Sequence, residues 1–250
     1  MPPPVATRTG LARALSKLGF CSRSRATELI RMGKVTVNRT VRKNPEYPVI
    51  LGQDVIIMDD VSVNQAERTY VMLNKPRGLV TSASDELGRE TVFACFENSK
   101  LPHLSPVGRL DKASEGLLLF TNDNTWADIV TNPETHLDKT YHVQIMGGVT
   151  PERLAQLQRG IEDEGEHLAA KKVKVLRTGD KNTWLEFILD EGRNRHIRRL
   201  LGAFEIDVLR LVRVAIGTLE LGDLTKGKWR RLSKGEVGRL RVVNSPSRES

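Results

Sequence analysis

The chain is poor in cysteine: Cys21 and Cys95 are the only two in 250 residues. Two thiols do not make a disulfide framework, and no Cys or His cluster has metal-ligand spacing. A metal is therefore not expected, and a reducing cytoplasm is the default compartment. Aromatic residues make up 5% of the chain, which argues against nucleic-acid binding by an aromatic-rich platform. No window approaches the roughly 18 apolar residues of a membrane span. The opening Met1-Pro2-Pro3-Pro4 lacks the basic and apolar regions of a secretory signal. Neither an internal repeat nor a low-complexity segment stands out.

Basic charge is what the chain has, and it is unevenly placed. Its 39 Lys and Arg outnumber 31 Asp and Glu, for a formal net charge of +8. Residues 8–43 carry ten basic residues against one acid, Glu28, and residues 226–241 carry seven against Glu236. The stretch between them is mildly acidic. Basic ends around such a middle point to a polyanionic partner gripped at defined places. For either end alone, a surface kept soluble by Lys and Arg is an equal reading. A hydrophobic content of 39% is ordinary for a globular protein, and this length can hold one large domain or two modules.

Hydrophobic spacing predicts a compact N-terminal module. Leu11, Ala14, Leu15 and Leu18 recur at helical spacing, with Gly19 as a stop. Ser22 can cap a second helix, Ser24–Met32. Val35 and Val37 alternate with polar neighbours as a strand, Asn38-Arg39 makes a turn, and Val55–Ile57 form a last short strand. Arg13, Lys17, Arg23 and Arg25 lie on the two helices. Polar residues 59–68 read as a linker. A strand then starts at Thr69 and breaks at Asn74-Lys75-Pro76-Arg77-Gly78. Further on, residues 140–146 alternate, with Tyr141, Val143 and Ile145 on one face. A helix is expected from Pro151 through Leu154, Leu157 and Ile161, strands at 172–177 and 183–189, a helix over 194–204, and a strand at 208–214. Short connections between neighbouring strands favour an α+β fold: a mixed, largely antiparallel sheet with flanking helices.

The run Val107-Gly108-Arg109-Leu110-Asp111 places one carboxylate at the entrance to the apolar Leu117–Phe120. Most such aspartates serve as turn or cap residues. A carboxylate with a pKa of about 3.9 is nevertheless ionised at neutral pH. It acts as a nucleophile without a general base, provided a cation steadies it when it is desolvated. Glu191-Gly192-Arg193-Asn194-Arg195-His196-Ile197-Arg198-Arg199 is the cation source. On a helix Arg195, Arg198 and Arg199 share one face, suited to phosphates or to a buried carboxylate, although spacing alone slightly favours a solvated basic surface. Tyr141 could stack on one extruded base. Lys75-Pro76 is a stiff turn bearing a cation, and Trp229 reads as a core anchor.

Leu18–Ala26, Ile30, Gly33 and Val35–Asn38 resemble the alpha-L or S-four-type RNA-binding module. Residues 69–235 resemble the RsuA family of ribosomal RNA pseudouridine synthases. The matching residues are Asn74–Gly78, Val107–Asp111, Gly116–Asp123, Lys139–Tyr141, Glu191–Arg199, Leu209–Leu211 with Arg213 and Gly217, and Gly227–Leu232. The resemblance implies an alpha-L domain at 9–58, a linker at 59–68 and a catalytic domain at 69–241. It implies Asp111 as the catalytic aspartate, Tyr141 as the residue packed on the target base, and Arg198 as the partner of Asp111, with Ile197 beneath. Arg109 would contact RNA near the flipped nucleotide, and Lys75, Arg193, Arg195 and Arg199 are further expected RNA contacts. Three positions depart from the family pattern: Asn124, Trp126, and His196 where glutamine is frequent. The implied reaction is uridine-to-pseudouridine isomerisation without metal or organic cofactor. The implied partner is ribosomal RNA or an assembling ribosomal subunit, met by a monomer. A non-catalytic RNA-binding assembly protein is the alternative, and the alpha-L module alone fits it equally well.

Overall fold

The computed structural model describes residues 8–58, 61–62, 67–82 and 87–241. The chain falls into two compact units. Among the described residues the first takes those from Arg8 through Tyr70 with segments 98–105 and 120–124, and the second takes those within 71–97, 106–119 and 125–241.

In the N-terminal region β1 (Arg8–Gly10) leads into α1 (Leu11–Lys17), followed by α2 (Arg23–Arg31), β2 (Val35–Val37), β3 (Thr40–Val41), β4 (Pro48–Ile50), β5 (Ile56–Met58) and β6 (Val61–Ser62). The Ser22 hydroxyl accepts from the Arg25 N–H, which satisfies one orphan donor at the start of α2. The two helices bury Leu11, Ala14, Leu15, Ala26, Leu29 and Ile30 together with Val35 and Val37 of β2. Both residues of the Asn38-Arg39 turn have positive φ (50° and 66°), as a tight two-residue hairpin requires. Asn38 holds that turn, donating to Asp54 at 2.7 Å and accepting from the Val55 N–H at 2.9 Å. Strands β3, β2, β5 and β6 form one sheet, and β1 pairs with β4. Of the expected linker, 59–60 and 63–66 lie outside the described residues, while Val61–Ser62 continues the sheet beside β5.

The remaining elements are β7 (Tyr70–Lys75), β8 (Ser105–Val107), β9 (Glu115–Thr121), α3 (Asn124–Thr131), β10 (Lys139–Met146), α4 (Pro151–Arg159), β11 (Ile161–Asp163), β12 (Glu166–Leu168), β13 (Lys172–Thr178), β14 (Asn182–Leu189), α5 (His196–Gly202), β15 (Val208–Ile216), β16 (Leu219–Glu220), β17 (Trp229–Arg231) and α6 (Lys234–Arg239). Among the described residues one nine-stranded sheet runs in the order β13-β14-β10-β15-β9-β7-β17, with β16 beside β15 and β8 beside β9. Its ladders β13–β14, β14–β10, β10–β15 and β17–β7 are antiparallel, whereas β9 joins β15 in parallel. The sheet is thus mixed and largely antiparallel, and the fold is α+β.

Every residue of β9 is buried, so the apolar run Leu117–Phe120 is a central strand. Strands β10 and β14 instead alternate, with Tyr141, Val143, Ile145, Leu185, Phe187 and Leu189 inward. Two boundaries differ from expectation. Helix α4 stops at Arg159 because Gly160 has a φ of 80°, and Ile161 begins a hairpin strand instead. Helix α5 starts at His196, since Arg195 before it sits in the left-handed region at φ 49°. No helix among the described residues is long and apolar enough to cross a membrane.

Candidate active site

Asp111 stands at the head of a tight turn between β8 and β9, closed by the Ser114 N–H on the Asp111 carbonyl at 3.0 Å. Other elements fix this turn through its main chain. The Thr81 hydroxyl donates to the Leu110 carbonyl at 2.7 Å, and the Gly78 N–H to the Lys112 carbonyl at 2.8 Å. Lys75 lies beneath, fully buried. Its ammonium donates to the carbonyls of Asp111 (3.1 Å), Ser114 (2.9 Å) and Pro76 (3.1 Å). Burial lowers the Lys75 amine to about 8, against the opposing pull of Asp111 and Glu115. The expected role of Lys75 as an RNA contact is therefore corrected. Strand β7 carries it into the interior, and its three donors are spent on the turn that presents Asp111.

Behind the turn, β9 approaches β15 at Gly116. This residue has a φ of 101°, and a Cβ there would stand 2.2 Å from the Arg213 carbonyl oxygen. Glycine is required here on both counts. Glu115, next to it, is buried. Arg210 binds it in a two-point fork at 3.0 and 3.1 Å, and the Lys226 ammonium joins them.

Asp111, Tyr141 and Arg198 line one cavity of about 730 Å³, within the size range of small-ligand sites. Ile197, Leu189, Leu211 and Ile216 give it apolar walls, and Arg109, Arg193 and Arg195 also border it. Tyr141 is nearly buried on the inward face of β10. The Arg198 guanidinium reaches the Asp111 turn and donates to the Ala113 carbonyl at 3.3 Å. Burial lowers its pKa and the charge of Asp111 raises it. The two side chains are close enough to feel each other yet form no ion pair within 4.0 Å among the described residues. The carboxylate faces the cavity uncovered by a salt bridge.

The other expected cations divide. Arg13, Lys17, Arg23 and Arg25 are carried by α1 and α2 with their side chains largely toward solvent, and Arg25 also binds Glu28 at 2.7 Å. Arg193 borders the cavity while held by Glu191 at 2.8 Å and Glu166 at 3.5 Å. Arg199 departs from expectation. It turns to the β11–β12 hairpin and binds Asp163 and Glu166, each at 2.6 Å, so its donors are not free for phosphate. Because α5 starts after Arg195, the anticipated common face of Arg195, Arg198 and Arg199 does not form.

Three further residues of the cavity were not singled out as site residues in the sequence. His196 is buried, its ring nitrogens lie outside good hydrogen-bond geometry, and burial lowers its pKa against the pull of Glu191, 3.8 Å away. Lys139 and Arg213 are buried in the cavity wall. For Lys139 a signal was present: it stands two positions before Tyr141 on a strand and shares its face. Trp126, a departure from the family pattern, is buried and donates to the Val237 carbonyl at 3.2 Å, so it serves packing.

Comparison with known proteins gives the family. Residues 69–203 match the family model for RNA pseudouridylate synthase, and residues 9–55 match the S4 domain. The ribosomal large subunit pseudouridine synthase B of Bacillus subtilis is 37% identical over 236 residues, 93% of this chain and 96% of that protein. An uncharacterized RNA pseudouridine synthase of Aquifex aeolicus is 37% identical over 228 residues, 90% of this chain and 91% of its own. A crystal structure of a pseudouridylate synthase superposes with a TM-score of 0.64 at 31% identity, covering 93% of this chain and 99% of that one. The chain belongs to the RNA pseudouridine synthases, in the RsuA-type arrangement that joins an S4 domain to the catalytic fold.

Proposed function

We propose that this enzyme isomerises a specific uridine in ribosomal RNA, with Asp111 as nucleophile or base, Tyr141 stacked on the extruded uracil and Arg198 steadying the aspartate. The convergence of these three side chains on one apolar-walled cavity carries the reading. In the reaction the N1–C1′ bond breaks, the uracil turns, C5 joins C1′, and the C5 proton leaves; N1 takes up a proton. No atom is lost, so the cavity has to keep the detached base and exclude water. Asp111 would either add to C1′ or remove the ribose 2′ proton on the way to a glycal. The apolar wall of Ile197, Leu189 and Leu211 suits retention of the detached uracil by packing against its ring.

Extruding the base costs a few kcal/mol, least in loops and bulges. The cations of α1 and α2 and the bordering Arg109 and Arg195 would offset this by holding phosphates. Likeness to the Bacillus subtilis enzyme favours large-subunit RNA as the substrate. A pure RNA-binding assembly factor would have no need to bring an unpaired carboxylate, a tyrosine and a half-buried arginine to one cavity.

The test is to incubate the protein with unmodified large- and small-subunit RNA transcripts and map pseudouridine by carbodiimide-dependent primer extension. One new site in the large-subunit transcript is expected. Modification of neither RNA, with tight binding retained, would leave the binder reading in its place.

A further inference from the structure

Lys139 and Arg213 form an unneutralised cationic pair inside the cavity. Strands β10 and β15 pair with Tyr141 opposite Arg213 and Lys139 opposite Ile216, so both cations share the inward face of Tyr141. Lys139 is 9% exposed and Arg213 6%. Arg213 Nε donates to the Leu117 carbonyl at 2.8 Å, while its Nη2 is buried without a hydrogen-bond partner. The amine of Lys139 is lowered by burial and then by the charge of Arg213. Asp138 and Asp190 pull the other way, but Asp138 is bound to Lys171 at 2.7 Å and Asp190 leans on His136 at 3.9 Å. Neither pairs with Lys139 within 4.0 Å among the described residues.

Two like charges on one inward face destabilise each other, and the burial that lowers the Lys139 amine adds to the cost. A neutral base or ribose does not repay that; an anion between them does, through charge-assisted hydrogen bonds. A nucleotide inside an RNA strand brings a phosphodiester on each side of its ribose. We propose that Lys139 and Arg213 are a phosphate-binding subsite that seats a phosphodiester flanking the target uridine. The inference rests on Asp111 and Tyr141 marking where that uridine sits. The phosphate then fixes the ribose against Asp111, with Arg213 Nη2 supplying the waiting donor and Lys139 a point charge.

The experiment uses the full chain and a short RNA hairpin containing the target uridine. The linkage on its 5′ or its 3′ side is replaced by a neutral methylphosphonate. Ordinary hairpin serves as the control for pseudouridine formation itself, so a failed catalytic reading shows there and not in the comparison. One of the two neutral linkages is expected to lower kcat/KM by tenfold or more with wild type. Lys139→Gln and Arg213→Gln should lose a similar factor on ordinary RNA and little more on that methylphosphonate RNA. Equal rates of wild type on all three RNAs would overturn the proposal, and this arm needs no variant to fold. Losses that multiply between variant and linkage would also overturn it, since the two changes would then act at separate places.

Discussion

The Lys75 ammonium donates to the main-chain carbonyl of Asp111 at 3.1 Å, so the residue that positions the aspartate grips its backbone and leaves its carboxylate free. Replacing Lys75 by Met strands the carbonyls of Pro76, Asp111 and Ser114 in the interior. A loss of about 2 kcal/mol or more is expected from unsatisfied buried acceptors, measurable by urea unfolding at pH 7, along with lost turnover. The pH dependence has a defined sign. The amine lies near 8 when folded and at 10.5 as its ordinary value, so between these pH values the unfolded chain holds the extra proton. Wild type should therefore gain stability relative to Lys75→Met as pH rises through that window. A flat difference from pH 7.5 to 10 would contradict the burial of a charged amine.

Asp111→Asn keeps the shape of the turn and removes the negative charge. Turnover should vanish while affinity for the RNA stays within a few-fold, since phosphate contacts carry most of the binding. Single-turnover tritium release together with filter binding separates the two. Ordinary turnover in the variant would move the chemistry to another residue.

Gly116→Ala should fail at the level of folding. The added methyl meets the Arg213 carbonyl at 2.2 Å in a backbone conformation with φ of 101°. Backbone on both sides leaves nothing flexible to yield, and a loss of roughly 3 kcal/mol or more is expected from overpacking and strain combined. Thermal melting of the purified variant checks it; a melting temperature within two or three degrees of wild type would show that β9 and β15 do not approach so closely.

The cations of the N-terminal helices should act through salt. Changing Arg13, Lys17, Arg23 and Arg25 to Gln removes four positive charges without touching the buried Leu11, Leu15 or Ile30. Weaker RNA binding and a shallower dependence of log K on log salt are expected, by about 0.7–0.9 for each phosphate no longer neutralised. An unchanged slope would place the RNA grip elsewhere.

Much of this architecture was legible because long elements carry a period. The alternation in β10 and β14, the apolar run of β9, the Ser22 cap and the Pro151 start of α4 all stand in the sequence and recur in the structure. Strands of two or three residues, such as β3, β4 and β6, are too short to show one. The fates of Lys75 and Arg199 were hidden for another reason. Each depends on partners far along the chain: the 111–114 turn for Lys75 and the Asp163–Glu166 hairpin for Arg199. Spacing around Arg195 suggested a helix from residue 194, but its left-handed backbone delays α5 to His196, and Arg198 reaches the Asp111 turn while Arg199 does not. His196 stood out in the sequence only as a departure from the family pattern, because a lone histidine carries no periodic signal, and its burial in the cavity wall is a property of packing.

Strand β15 sits between β10 and β9, yet it is made after both. Its partners Glu115 and Gly116 lie roughly a hundred residues earlier, a separation that makes closure slow by loop entropy. A nascent chain emerging from the ribosome thus carries Asp111 and Tyr141 into solution well before the strand that joins their halves exists. Until residues 208–216 arrive, the sheet that brings Asp111 and Tyr141 to one cavity has a gap between β10 and β9, and the cavity is completed only near the end of translation.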